Sequence, residues 1–322
     1  MRQCRQIVFL DAATVDYGDI SFNSLDQVGN FKAYRLTGPR QVVPRSGRAD
    51  VVITNKSVFN REVIGKLRRT KMICVAATGY NNVDIQAARE KGIAVTNVRG
   101  YSTTSVVQAT WTFILALAGN LLKNHEAAHD GRWSRSPHFT FGKYPLHELT
   151  GKQLGVLGYG EIGRRVARIA SSFGMKVLVA RIPGRSYQRN VHPKRISFLE
   201  VIRRSDFLTI HAPLTPLTEN LIDGRILRKM KPGSFLINMA RGGIVNENAL
   251  KDSLERGHLS GAACDVLTEE PPRTSHPLIG AKNCLLTPHC AWGSLESRQR
   301  LIEEIAQNIK AFYKKRKRNR IV

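Results

Sequence analysis

The sequence predicts an α/β protein of two doubly wound parallel-sheet domains, the first of them discontinuous. Three observations lead there. Short apolar segments alternate with helix-like segments over the first hundred residues. A second, longer series of the same kind begins after Gly151, and helical segments flank it, placed to carry the chain out of one domain and back. Short buried strands separated by helices build a parallel sheet covered on both faces.

In the first series, residues 7–10, 50–54, 72–76 and 93–96 read as strands. Between the last two lies 83–91, Ala-rich with helical spacing and closed by Gly92 past its end. Residues 102–122 read as one long helix. Its apolar part, 106–122, contains Gln108, Thr110, Thr112 and Asn120 and is barely long enough for a bilayer, so it reads as a buried interface helix and not a span. The second series offers strands at 153–157, 176–180, 207–210, 234–239, 261–266 and 284–286, with Pro213, Pro216, Pro232, Pro271, Pro272 and Pro288 in the loops. After Pro288, Leu301, Ile305, Ile309 and Phe312 recur at spacings of three or four, the apolar stripe of a packed helix. The domains are therefore expected at 1–101 with 291–322, and at 102–290.

Lys plus Arg is 50 against 25 for Asp plus Glu, a net charge of +25. Such an excess attracts anions without choosing among them. The C-terminal run Lys314, Lys315, Arg316, Lys317, Arg318 and Arg320 has no interleaved aromatics for base stacking, so it reads as a solvated tail, with nucleic-acid contact the weaker alternative. Cys4, Cys74, Cys264, Cys284 and Cys290 form no CxxC pair, and most sit beside apolar residues. They read as reduced, packed thiols of a cytoplasmic protein, with no metal site expected. The N-terminus reaches Asp11 after a short apolar run, as a first strand and not a signal peptide does.

Gly158-Tyr159-Gly160-Glu161-Ile162-Gly163 matches GxGxxG. It follows an apolar strand, opens a helix expected at 164–173, and is followed after Gly174 by another strand, which is the context the motif needs. The first glycine permits a tight turn, the second admits a pyrophosphate, and the third lets the helix pack on the strand. The helix N-terminus then faces the phosphates with free N–H groups. At the end of the next strand an acidic residue would bond the ribose 2′-hydroxyl of NAD. The sequence has Arg181 and Arg185 there and no carboxylate, which favours NADP(H), with NAD(H) the alternative.

Three strand-end segments carry suitable chemistry: 238–243 with Arg241, 265–271 with Asp265, Glu269 and Glu270, and 287–292 with His289. Loops at the carboxyl ends of parallel strands converge on the ligand crevice. Arginine holds carboxylates, histidine is the natural proton donor near neutral pH, and a neighbouring carboxylate orients it.

In this order of motifs the sequence resembles the D-isomer-specific 2-hydroxyacid dehydrogenase family, over nearly the whole chain. The resemblance includes residues 75–84 and 100–106, the block 240–247, and His289-Cys290-Ala291-Trp292, which is most similar to the glycerate dehydrogenase and hydroxypyruvate reductase branch. It implies a Rossmann dinucleotide-binding domain and a flavodoxin-like substrate domain. It also implies reduction of a small anionic 2-ketoacid such as hydroxypyruvate or glyoxylate, and a homodimer. By the same resemblance Arg241 would hold the substrate's carboxylate and carbonyl, His289 would be the proton donor, and Glu270 its partner. Backbone at Thr78 and Gly79 would bind the carboxylate. Asp265 would face the nicotinamide carboxamide, His211, Ala212 and Pro213 would pass near the adenosine, and Met239, Ala240 and Ala291 would complete the cofactor contacts. Arg99 departs from the family pattern, which leads one to expect an uncharged residue there. Relatives that act as corepressors, with the dinucleotide as a structural ligand, supply the other functional class.

Overall fold

The computed structural model of the chain describes residues 5–187 and 192–322, so Cys4 lies outside the described residues. The chain divides into two compact units, one of Met1–Ser102 with Trp292–Val322 and one of Thr103–Ala291.

The first unit holds strands β1 (Gln6–Phe9), β2 (Asn30–Ala33), β3 (Val51–Thr54), β4 (Met72–Val75) and β5 (Ala94–Thr96), all parallel, in the order β2-β1-β3-β4-β5. That is the flavodoxin-like order. β3 and β4 are buried at every position, as continuous apolar runs in a sheet covered on both faces must be. β2 was not anticipated: Asn-Phe-Lys-Ala is a largely exposed edge strand without an apolar run. The helix Ile85–Glu90 starts at Asp84, whose side chain accepts the Ala87 N–H at 2.9 Å, and ends before Gly92 at φ 69°. The helix Leu295–Tyr313 sets Leu301, Ile305 and Ile309 into the core with Ile7, Phe9, Val51 and Ile53.

The basic side chains at the end of this unit are exposed, as a solvated run is, but the backbone there is not wholly free. Residues 314–318 are exposed, but 319–322 run antiparallel along β5. Ile321 N–H donates to Val95 O at 2.8 Å, and Val95 N–H to Val322 O at 3.1 Å. β5 is an edge strand, and its open N–H and C=O groups take the returning segment.

The second unit holds β6 (Gln153–Leu157), β7 (Lys176–Val179), β8 (Phe207–Ile210), β9 (Phe235–Asn238), β10 (Gly261–Cys264) and β11 (Cys284–Leu286) in one parallel sheet, ordered β11-β10-β9-β8-β6-β7. Ile196 adds a single parallel bridge beside Ala180, beyond β7. Counting it as a vestigial strand, the sheet has the 3-2-1-4-5-6 order of dinucleotide-binding folds with one strand added.

The helix expected at 102–122 is two, Thr103–Ala118 and Leu121–His129, bent by 61°. The break is at Asn120, in the left-handed region at φ 42°, which Asn tolerates better than most residues, and its Nδ2 donates to Pro145 O at 2.7 Å. No single helix among the described residues is long and apolar enough to cross a membrane. Cys74 and Cys264 are buried and Cys284 half-buried, but Cys290 is exposed, against the expectation of packed thiols.

Candidate active site

The strand ends of the second unit are level. Leu157 pairs with Ile210, Ile210 with Asn238, Asn238 with Cys264, and Cys264 with Leu286. The next residues, Gly158, His211, Met239, Asp265 and Thr287, therefore all emerge at one edge of the sheet. β6 lies between β7 and β8, so the strand order reverses at Gly158, the switch point where such sheets bind ligands.

Two of the three motif glycines are required by the protein itself. Gly158 has φ 98°, and a Cβ on it would come within 2.4 Å of Ala212 N; a Cβ on Gly163 would sit 2.1 Å from Gly158 O. Gly160 differs. Its φ is −83°, it precedes the helix Glu161–Ser172, and a Cβ there would meet nothing within 4 Å. Neither conformation nor packing demands glycine, while a diphosphate laid on this helix N-terminus would take that space. The site fits a dinucleotide. The helix begins three residues earlier than the sequence reading put it, because the glycine turn itself leads into the first turn. Tyr159 and Ile162 are half-buried, and the exposed Glu161 pairs with Arg165 at 3.1 Å.

His211 presents its backbone to Gly158 and turns its ring inward, Nε2 lying 2.9 Å from Thr209 Oγ1. Burial pushes its pKa down to about 3, so the imidazole is neutral, and Nδ1 is buried without a partner. Pro213 is exposed.

At the end of β7 the exposed Arg181 is fixed through its N–H to Ile196 O at 2.9 Å. Arg185 closes a turn on Ile182 O at 3.1 Å. The Arg185 and Arg195 guanidinium carbons lie 5.5 and 4.5 Å from the Tyr187 ring centre, and the Tyr187 hydroxyl accepts the Ile182 N–H at 3.0 Å. Among the described residues no carboxylate pairs with any of the three arginines. The sequence reading missed Arg195, which only the Ala180–Ile196 bridge brings to β7.

His289 Nδ1 lies 2.6 Å from Glu270 Oε2, and Glu270 Oε1 accepts the Leu267 N–H at 2.9 Å. An ionised carboxylate only accepts, so Nδ1 carries the proton and Nε2 is the nitrogen left for other work. Both side chains are about one-third exposed. The His289 backbone sits at φ 50°, a left-handed geometry held by its N–H to Asp265 O at 2.8 Å. Asp265 anchors this turn. Its Oδ1 accepts from Thr287 Oγ1 at 2.6 Å, Cys290 N–H at 2.9 Å and Ala291 N–H at 3.1 Å. Burial pushes the Asp265 carboxyl up, and these hydrogen bonds oppose the shift. Asp265 thus shapes the loop that carries His289. Ala291 is buried, its carbonyl accepting Ser105 Oγ at 2.6 Å.

Met239 and Ala240 are buried, and Arg241 beside them is exposed. One Arg241 Nη donates to Ala240 O at 2.7 Å, and Asn238 Nδ2 holds the Arg241 carbonyl at 2.9 Å. Gly242 brings this loop against the one bearing Glu270: a Cβ on it would come within 2.0 Å of the Leu267 carbonyl carbon. Glu247 braces the same loop, accepting the Thr268 N–H at 2.7 Å, while its other oxygen lies 3.0 Å from His276 Nε2. Glu247 and His276 are 29 residues apart, and no local pattern marks them as partners.

Thr78 and Gly79 belong to the first unit, just past β4, with Thr78 exposed and Gly79 half-buried. None of the backbone N–H groups from Ala77 to Asn82 donates to another described group. Among the described residues no group of three or more His, Cys, Asp or Glu is arranged to hold a metal.

Residues 111–291 match the family model described as D-isomer specific 2-hydroxyacid dehydrogenase, NAD binding domain. A hydroxypyruvate reductase from Blautia hydrogenotrophica is 37% identical over 96% of this chain and 97% of its own length. A glycerate dehydrogenase from Methylorubrum extorquens is 35% identical over 96% of both. Among solved structures, the D-lactate dehydrogenase of Aquifex aeolicus, complexed with NAD and lactic acid, superposes with a TM-score of 0.82 at 27% identity, over 96% of each chain.

Proposed function

The chain belongs to the D-isomer-specific 2-hydroxyacid dehydrogenase family, and from that premise we propose that it reduces hydroxypyruvate or glyoxylate, preferring NADPH, with His289 as the proton donor. It is an NAD(P)-dependent 2-hydroxyacid oxidoreductase. The observation that carries the residue assignment is the 2.6 Å contact of His289 Nδ1 with Glu270. When bound, the nicotinamide supplies the hydride. In the reductive direction the His289 ring acts as imidazolium, with Nδ1–H on Glu270 and the second proton on Nε2: it gives the Nε2 proton to the carbonyl oxygen and is left as the Nδ1–H tautomer, whose bare Nε2 takes the proton back in the oxidative direction. Glu270 keeps the imidazole in the orientation and tautomer that leave Nε2 free. Arg241, which pairs with no carboxylate among the described residues, takes the substrate's carboxylate. The free N–H groups at Thr78 and Gly79 are donors for the same kind of group.

The motif at Gly158, Gly160 and Gly163 would take the diphosphate, Ala212 and Met239 lining the neighbouring loops. The preference for NADPH rests on Arg181, Arg185 and Arg195, which no carboxylate among the described residues neutralises, a set suited to a 2′-phosphate. The test follows absorbance on mixing the protein with each cofactor and hydroxypyruvate or glyoxylate. Oxidation with the ketoacid is expected; none with any 2-ketoacid would overturn the activity. Arg181→Asp is expected to weaken NADPH by about tenfold or more, a hydrogen bond to a charged group being worth about 1.5–3 kcal/mol, and to spare NADH. An equal loss for both cofactors would refute the 2′-phosphate role.

Unit two also exposes Leu115, Leu121, Leu122, Trp133, Phe139 and Leu146, with Phe139 90% exposed. The family favours a homodimer, and these exposed apolar side chains are the surface assigned to its interface. Light scattering at twice the chain mass is the expected result, and monomer mass the contrary one.

A further inference from the structure

We propose that residues 319–322 and the buried amides of Asn308 and Asn97 form a positioning relay, which sets the backbone of Thr78 and Gly79 for a substrate carboxylate. The relay rests on the assignment of those N–H groups to the substrate. Each link lies within the first unit. Asn319 Nδ2 donates to Asn308 Oδ1 at 3.1 Å. Asn308 Nδ2 donates to the Asn97 carbonyl at 3.0 Å, and Asn97 Nδ2 to the Thr78 carbonyl at 2.7 Å. The Asn97 N–H returns to Asn319 O at 3.2 Å, closing a loop of main chain and side chain. Thr78 is tied down a second time by its hydroxyl on Val98 O at 2.9 Å. Asn97 and Asn308 are 2% and 1% exposed, so these bonds are shielded from competing water.

Two features argue that the relay serves the loop and not the core alone. Asn97 Oδ1 is buried with no partner, a cost that packing does not explain and that an apolar residue would avoid. What the amide gains is its donor on Thr78. The segment it holds is also pinned at the far end, where Asn82 Nδ2 donates to Ser57 O at 3.0 Å. Carbonyls and side chains thus fix residues 77–82, while their N–H groups stay uncommitted, the arrangement an anion needs. Asn319 stands at φ 47°, so asparagine there also meets a backbone requirement that few residues meet.

The test uses the full chain with NADPH and hydroxypyruvate. Asn319→Ala removes the outermost link. Asn308→Asp keeps the acceptor for Asn319 and removes the donor to Asn97. Each is expected to raise KM about tenfold with kcat within about twofold and the Kd for NADPH unchanged. The backbone amide chemical shifts of residues 77–82 are expected to move in both. A lowered Tm with parental KM and parental amide shifts at 77–82 would make the network purely structural and overturn the relay. Asn319→Ala, with the milder change, decides the matter if Asn308→Asp does not fold. Gly79→Pro separates the two layers of the argument, because it removes one N–H directly. A raised KM there beside parental KM in the asparagine variants refutes the relay alone. Parental KM in Gly79→Pro refutes the carboxylate role of this segment, and the relay falls with it.

Discussion

Replacing His289 by alanine is expected to lower turnover by about 10²- to 10⁴-fold, the range a positioned acid contributes, while NADPH still binds. The expectation comes from what His289 does not do. Its Nδ1 is committed to Glu270 at 2.6 Å, and its N–H to Asp265 O. Its Nε2 makes no hydrogen bond within the protein among the described residues, and the ring is about one-third exposed. A ring held through Nδ1–H and open at Nε2 delivers a proton from Nε2 as imidazolium and accepts one there as neutral imidazole. The backbone at φ 50° calls for a control, since alanine tolerates that region less well than asparagine. His289→Asn keeps the backbone geometry and cannot act as an acid. Both variants are expected to lose turnover alike, and to keep the parental Kd for NADPH in a fluorescence titration. Turnover within tenfold of the parent in His289→Asn would remove the acid role.

Much of the fold was legible because parallel strands announce themselves. β3, β4 and β8 are mostly apolar and buried at every position, and the sequence places each to within a residue or two. What stayed hidden was structure whose stability comes from partners remote in sequence. β2 carries no apolar run because it lies at an edge. The 319–322 segment looked like a charged tail because its bonds run through the backbone, to β5, where composition leaves no trace. The helix break at Asn120 depends on a left-handed residue and a carbonyl 25 positions away. The site divided in the same way. Gly158, Gly160, Gly163, Arg241, Glu270 and His289 stand in local motifs that a reader can find. Arg195, the Glu247–His276 pair and the asparagine relay exist only as contacts between segments. Asp265 is legible by its strand-end position, while its hydrogen bonds to the 287–291 turn link segments 22 to 26 residues apart.

Arg241→Leu is expected to lower kcat/KM for hydroxypyruvate by about 30-fold to several thousandfold, which corresponds to the 2–5 kcal/mol lost when one member of a hydrogen-bonded charge pair is truncated. The guanidinium has five N–H donors, and one Nη is already placed on Ala240 O at 2.7 Å. That anchor and the bond from Asn238 to its carbonyl orient the rest of the fork without neutralising it, and among the described residues no carboxylate pairs with it. Arg241→Lys keeps the charge but loses the planar fork, so it is expected to recover only part of the loss. The pattern across variants matters more than any single value. Arg181→Asp acts on the choice between cofactors, and its effect is expected to change with NADPH or NADH. Arg241→Leu acts on the ketoacid, and its loss is expected to be the same with either cofactor. A loss for Arg241→Leu that depended on the cofactor would move this arginine from the substrate to the dinucleotide. That result would leave the backbone of Thr78 and Gly79 as the donors for the substrate carboxylate.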